Sequence, residues 1–363
     1  MTKKYNILIC PLGWGLGHAG RMIPLAETLQ RAGHNIIVGT GMENIAFFRR
    51  ELTGLTFIKF PGFIPQYSAV FPQYVAVIFS LPSLLFHIIA EHFRLKKLIR
   101  SHKIDIVISD NRFGLWNRNV RTVYVTHQLL IPFPAGMRSM EWIGVVLHRF
   151  FIKRYNYCFV PDLPGNLNLA GRLSHQTKVP DNVRYIGLLS RFNNIGSGES
   201  KQGRISPDFV VVLSGPEPQR SIFRKKVISI FKDTESFIVI LEGRPSGTHR
   251  PEEPSNIVSY DHLPRNEMAE LLRISRNIIA RAGYSFIMEL ISLNRSALLV
   301  PTPGQTEQEY LAAYLSVKGW FAETEQDRLA GQVFHSHGNI PDAPEILLES
   351  EKLLRKALDE LLQ

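Results

Sequence analysis

Cysteine is nearly missing from this 363-residue chain: only Cys10 and Cys158 occur, each inside an apolar strand-like run, Ile7-Leu8-Ile9-Cys10 and Tyr157-Cys158-Phe159-Val160. That excludes a disulfide scaffold and points to buried free thiols in a reducing compartment. No His/Cys cluster has metal-ligand spacing and no Asp-x-Asp pair is present to hold a divalent cation, so no metal and no other cofactor is expected. The N-terminus, Met1-Thr2-Lys3-Lys4 followed at once by a strand, lacks the apolar stretch of a signal peptide, and a cytoplasmic location is expected. Helix-turn-helix, zinc-finger and RNA-binding signatures are absent, so nucleic acid is not an expected partner. There is no internal repeat and no low-complexity tract.

What is present is a folded chain, 45% hydrophobic and 20% charged, long enough for two domains with their own cores. Its charge is uneven. Residues 1–190 hold 22 Lys/Arg against 9 Asp/Glu, a net +13, while residues 191–363 hold 20 against 23. A basic half-protein attracts an anionic surface, here a membrane surface or an anionic acceptor. The most apolar segment, Ala69 through Ala90, has the length of a bilayer span. Pro72, Gln73, Pro82 and His87 argue instead for a broken pair of helices, with Glu91–Arg100 continuing as a basic amphipathic helix. Two readings stay open: Phe63–Leu81 dips into a membrane surface, or these helices cover the first sheet.

The chemistry-bearing stretch is Arg281-Ala282-Gly283-Tyr284-Ser285-Phe286-Ile287-Met288-Glu289, set between the apolar strands Asn277–Ala280 and Leu298–Val300 and followed by Gln308-Glu309-Tyr310. This is a βαβ unit. Ligands of such units sit beyond the carboxyl ends of the strands, where helix N-termini present unpaired N–H groups. Arg281, Gly283, Ser285, Glu289 and Gln308 are therefore candidate ligand contacts. A cation, a glycine and a helix N-terminus suit a phosphate. Glu289 lies too far into the helix to cap it, and it is either a carboxylate for two ribose hydroxyls or an ordinary solvated helix residue.

A second glycine loop follows the first strand: Gly13-Trp14-Gly15-Leu16-Gly17-His18-Ala19-Gly20-Arg21. Gly15, Gly17 and Gly20 formally satisfy G-x-G-x-x-G. A dinucleotide site also needs an acid at the end of the second strand, and Asn35-Ile36-Ile37-Val38 ends in Gly39-Thr40-Gly41. The nicotinamide reading loses its support. What remains is a loop that a ligand can approach, with His18 at a helix N-terminus that disfavours the imidazolium, as a general base requires. The alternative is that His18 caps or packs the helix. Two later strands, Ile104–Ser109 and Val120–Thr126, deliver Asp110, Arg112 and His127 to the same edge, where Asp110 is either the partner of His18 or itself the base.

The Arg-Ala-Gly of residues 281–283, then Glu289, Val300-Pro301 and Gln308, resembles the donor-nucleotide motif of family 28 glycosyltransferases of the GT-B fold, whose best-known member is the N-acetylglucosaminyl transferase that makes lipid II. The G-x-G-H-x-x-R pattern of Gly15 to Arg21 is similar to the N-terminal loop of that family and of nucleotide-sugar hydrolases. The resemblance covers about residues 257–315 and the N-terminal loop. Two positions depart from it: Glu309 stands for a second glutamine, and Ala312 for an asparagine.

The resemblance implies an α/β chain of two Rossmann-like domains facing a cleft: residues 1–190 on the acceptor side, a linker at 191–206, a nucleotide-sugar domain at 207–342, and a terminal helix at 343–363 returning to the first domain. It implies that Glu289 holds the ribose of UDP, that Gln308 faces the sugar, that backbone groups near His262 and Leu263 read the base, and that Ser214 and Gly215 stand in the second glycine-rich loop. His18 and Asp110 become catalytic candidates, and Gly15, Gly17, Arg21, Arg112 and His127 line the acceptor or diphosphate side. The expected activity is an inverting, metal-independent transfer of a sugar, such as an N-acetylhexosamine, from a UDP-sugar to a saccharide or lipid-linked acceptor of the cell envelope, peripheral on the inner face of the cytoplasmic membrane. A nucleotide-sugar hydrolase or epimerase, a nicotinamide oxidoreductase and a non-catalytic anion- or membrane-binding protein remain the alternatives.

Overall fold

The computed structural model describes residues 3–13, 15–63, 73–133, 135–175, 178–193, 195, 206–215, 217–244, 253–330 and 340–363, with the backbone alone for 73–80 and 135. The chain forms two compact units, one of Met1–Gln66, Tyr74–Leu189 and Pro344–Gln363, the other of Tyr67–Gln73 and Ser190–Ala343. Each is built on a wholly parallel sheet.

In the first unit the elements run β1 (Asn6–Cys10), α1 (Leu16–Arg31), β2 (Asn35–Thr40), α2 (Met42–Glu51), β3 (Thr56–Lys59), α3 (Gln73–His102), β4 (Ile106–Asp110), β5 (Arg121–Val125), α4 (Glu141–Ile152), β6 (Tyr157–Val160), a single turn α5 (Arg172–His175) and β7 (Val183–Tyr185). The seven strands lie in the order β3-β2-β1-β4-β5-β6-β7. Strands covered by helices on both faces can be apolar throughout, and β1 and β4 are: Ile7, Leu8, Ile9, Ile106, Val107 and Ile108 are all fully buried. Strand order reverses between β1 and β4, which pair from Ile7↔Ile106 to Cys10↔Ser109. Crevices at such a reversal receive ligands beyond the carboxyl ends of the strands, and both chemical loops of this unit start there.

Pro82 does not split α3. One continuous helix spans Gln73–His102 with the proline inside it, so the expected broken pair of helices is corrected. Proline removes one intrahelical bond, and the turns on both sides carry the helix through. Leu95 packs on Leu8, Ile37, Phe60 and Val107, so the C-terminal part of α3 does cover the sheet. The segment expected to dip into a membrane lies partly outside the described residues, at 64–72. No helix among the described residues is long and apolar enough to cross a membrane. Cys10 and Cys158 are buried free thiols, and burial pushes that of Cys10 up to about 12.

The second unit runs β8 (Phe209–Val212), α6 (Gln219–Phe231), β9 (Ile238–Leu241), β10 (Ile257–Tyr260), α7 (Arg265–Ile274), β11 (Asn277–Ala280), α8 (Tyr284–Ser292), β12 (Leu298–Leu299), α9 (Thr306–Val317) and β13 (Ala322–Glu323), in the sheet order β10-β9-β8-β11-β12-β13. Phe223, Val227 and Phe231 of α6 pack on Phe209, Val211, Ile238 and Ile279. Here the order reverses between β8 and β11. The Ser214-Gly215 turn and the Arg281–Gly283 turn leave the sheet side by side at that point.

The last helix, α10 (Ala343–Leu362), packs in the first unit from Pro344 onward. Its anchor is a close approach: Gly187 has φ 69°, and a Cβ there would stand 2.2 Å from Ser350 Cα. Only glycine satisfies both constraints. Ser350 Oγ accepts from Leu188 N at 3.0 Å, and Arg184 grips Glu360 with bonds of 2.9 and 2.7 Å.

Candidate active site

Gly15, at φ 73° and with open space around it, precedes α1 as its N-cap. Gly15 and Gly17 are exposed and His18, in the first turn, is half-buried. The side chain of His18 does not cap the helix. Its Nδ1 lies 2.8 Å from Asp110 Oδ2, and Asp110, the last residue of β4, has no solvent exposure. Arg21, one turn further along α1, donates from Nε to Asp110 Oδ1 at 3.0 Å and bonds the same oxygen from Nη2. Its Nη1 donates to His127 Nδ1 at 3.1 Å, just beyond β5.

The protons follow from these contacts. Burial raises the Asp110 carboxyl, but the Arg21 charge, His18 and their hydrogen bonds outweigh it and hold it below its ordinary 3.8. Burial first and the Arg21 charge second pull His18 below its ordinary 6.5, against the raising effect of Asp110. At neutral pH the pair is therefore a carboxylate and a neutral imidazole. Nδ1 carries one proton and donates it in a hydrogen bond to the carboxylate, so the 2.8 Å approach of Arg21 Nη2 to the same nitrogen is crowding, not a second bond. Nε2 is left as the basic atom. The neutrality of His18 thus comes from burial and Arg21, not from the helix N-terminus alone.

Three expected ligand contacts are turned inward. Arg21 is 2% exposed and its guanidinium serves Asp110 and His127, so it holds the pair instead of facing an acceptor. Arg112 departs from the His18 cluster altogether. Asn111 before it takes a left-handed φ of 51°, and the Arg112 side chain runs to Gly39 O and Phe60 O at 3.2 and 3.0 Å, pairs with Glu91 of α3 and stacks over Phe60. Arg281 is 1% exposed; it donates to Val300 O, Pro301 O, Gln219 O and Gln326 Oε1 and lies 4.0 Å over Phe223. Among the described residues no carboxylate pairs with it, and burial lowers its pKa to about 9. It does not present donors to a phosphate. It places an uncompensated positive charge under the strand edge.

The remaining residues of the second unit share that edge. Ser214 and Gly215 (φ 92°) follow β8, His262 and Leu263 follow β10, and all four are half-buried. Gly283 is the N-cap of α8 with open space where a Cβ would be, and Ser285 is half-buried in the first turn. Gln308 is buried in α9, and its Oε1 accepts from Thr302 N at 2.9 Å while Glu309 accepts from Gly304 N at 2.8 Å, so both tie down the loop after β12. Glu289 is 6% exposed, which removes the reading of a solvated helix residue. Its Oε1 accepts from Arg191 Nε at 2.7 Å. Arg191 falls within the stretch taken for a linker, and no periodicity there announces it. Among the described residues no group of three His, Cys, Asp or Glu side chains could hold a metal ion.

Comparison with known proteins defines the class. Residues 242–338 match the family described as "Glycosyltransferase family 28 C-terminal domain". An uncharacterized glycosyltransferase of Methanosarcina mazei is 23% identical over 335 residues, covering 87% of this chain and 85% of the relative. The glycosyltransferase of kitacinnamycin superposes with a TM-score of 0.65 at 12% identity over the full length of both chains. The glycosyltransferase VinC, solved with dTDP, superposes at 0.60 with 15% identity over 98% of each. With two parallel-sheet units, the chain has the GT-B fold. Within that fold it resembles the family 28 glycosyltransferases.

Two pH windows follow for stability. His18, lowered in the folded state, is protonated first in the unfolded chain, so stability falls as pH drops below 6.5; the share due to Asp110 is present above 3.8 and lost as pH falls through its lowered folded value. Urea unfolding of wild type and His18→Asn at pH 7.5, 6.0 and 5.0 checks the first window, with a smaller loss expected in the variant. Asp110→Asn strands the Arg21 cation and is expected to cost about 3–5 kcal/mol at pH 7.

Proposed function

We propose that this chain is an inverting, metal-independent glycosyltransferase that moves a sugar from a UDP-sugar to a hydroxyl of a saccharide or lipid-linked acceptor. The observation that carries the proposal is a half-buried neutral histidine set on a fully buried carboxylate that a buried arginine keeps ionised. That is a base and its orienting group. Asp110 has both oxygens engaged and no exposure, which favours His18 over Asp110 as the base. His18 Nε2 takes the acceptor proton, the acceptor oxygen bonds to the anomeric carbon, and the bond from that carbon to the diphosphate breaks with its electron pair leaving on the phosphate oxygen. One displacement inverts the anomeric centre.

The second unit is the donor site in this reading. The first-turn N–H groups of α8, the Gly215 turn and the charge of Arg281 supply the positive potential that a departing diphosphate requires. Glu289 takes the ribose, Gln308 with Ser285 lies toward the sugar, and backbone groups at His262 and Leu263 meet the base. Among the solved neighbours VinC is named with dTDP; Glu289, a carboxylate suited to a diol, favours the ribonucleotide here.

A lipid-linked acceptor is favoured by the surface of the first unit. On α3, Leu85, Phe86, Ile89 and Phe93 are exposed, and on α4 so are Trp142, Ile143, Val146, Leu147 and Phe150. The two helices flank one segment, His92 against Trp116 at 4.1 Å and Phe151 against Phe113 at 4.7 Å. Exposed Arg94, Lys96, Lys97 and Arg100 on α3 and Arg138 before α4 border them. Apolar helix faces rimmed by basic residues suit the boundary of an anionic bilayer.

His18→Ala is expected to lower kcat by about 100- to 10,000-fold with UDP binding within about twofold of wild type, and the acid limb of the wild-type rate profile is expected below pH 6.5. Loss of UDP binding in the variant, with turnover unchanged per bound donor, would place His18 outside the chemistry. In sedimentation with phosphatidylglycerol vesicles, the protein is expected to pellet at low salt and less so at high salt. The Phe86→Ser/Trp142→Ser double variant is expected to partition at least about tenfold less. Equal pelleting with neutral vesicles, or none with either, contradicts the membrane assignment.

A further inference from the structure

Arg191 and Glu289 are 9% and 6% exposed, and Arg191 lies outside the motif that contains Glu289. Their contact is a lopsided fork. Nε donates to Oε1 at 2.7 Å, while the second approach, Nη2 to Oε2, is 3.5 Å, and that Nη2 also reaches Met268 Sδ of α7 at 3.1 Å. The arginine is itself held: its guanidinium lies 5.0 Å over Phe192, and the neighbouring Ser190 Oγ meets Ser292 Oγ at the end of α8 at 2.6 Å. A carboxylate offers about four acceptor positions. One strong and one weak bond therefore fix the plane of the Glu289 carboxylate and leave most of its acceptor capacity, above all on Oε2, for hydroxyls. A bare buried carboxylate would be both costly and free to turn.

We infer that Arg191 is a positioning residue: it sets the Glu289 carboxylate to accept from both ribose hydroxyls, and so makes the donor site select ribonucleoside over 2′-deoxyribonucleoside diphosphates. The inference rests on the reading of Glu289 as the ribose contact. It adds a role for the first residues of the second unit and a chemical class for the donor. A planar fork at a fixed angle is what the geometry uses, so lysine, a point charge on a flexible stem, is not equivalent.

The test is calorimetric titration of the whole protein with UDP and with 2′-deoxy-UDP, for wild type, Arg191→Lys and Arg191→Met, with thermal unfolding of each as the folding control. Wild type is expected to prefer UDP by about 10- to 100-fold, the range of hydrogen bonds to a charged group. Both variants are expected to bring the ratio within about threefold while 2′-deoxy-UDP affinity stays near wild type. If Arg191→Met does not fold, Arg191→Lys carries the test, since it keeps the charge and loses the fork. A wild-type ratio retained in a folded variant, or tighter UDP binding on loss of the arginine, overturns the positioning role and leaves the donor reading standing. A wild type that binds neither nucleotide, or both equally, overturns the ribose contact and the inference together.

Discussion

A carboxylate with no solvent exposure persists in a folded protein only where a cation and hydrogen bonds replace its water, and Asp110 meets that condition through Arg21. The rest of the first unit's chemistry is arranged around this pair. Arg21 reaches Asp110 because the first turns of α1 stand over the end of β4, which neighbours β1 where the strand order reverses. The same arginine that keeps Asp110 charged also opposes a charge on His18. One buried ion pair therefore fixes the tautomer, the orientation and the protonation of the imidazole. His127, on the far side of Arg21, completes the support at 3.1 Å.

The second unit handles charge in the opposite way. Arg281 has no carboxylate among the described residues and rests on carbonyls and an aromatic ring, so the strand edge keeps a surplus of positive potential that adds to the N-terminus of α8. Glu289, two turns into that helix, is neutralised locally by Arg191 and does not cancel the surplus. An edge with this distribution favours an anion at its centre and hydroxyls at its side. A nucleoside diphosphate has that pattern.

Much of this was legible in the chain. The apolar runs Tyr157–Val160 and Asn277–Ala280 are strands to the residue, and the terminal helix expected at 343–363 is α10, Ala343–Leu362. The meeting of His18 with Asp110 and His127 was legible because parallel strands deliver their carboxyl ends to one edge. Side-chain direction was not. Arg21, Arg112 and Arg281 were all placed toward ligand, since a charge at a strand end or near a helix start reads as exposed, whereas each is buried by partners distant in sequence: Asp110, Glu91, and the carbonyls of Val300 and Pro301. Helix α4 runs against the usual pattern of a surface helix: Trp142, Ile143, Val146, Leu147 and Phe150 face outward while Glu141 and His148 are buried. Arg191 was hidden by the polar, glycine- and serine-rich residues that follow it.

The central claim is that a nucleoside diphosphate is held at the carboxyl edge of the second sheet, around the first turn of α8. Amide hydrogen exchange with and without saturating UDP measures it directly. The account predicts slowed exchange at Ser285 and Phe286 in the first turn of α8 and at Gly215 after β8, the positions it assigns to the phosphates. Protection confined to the Gly15–Ala19 loop, or none in the second unit at saturation, would contradict it.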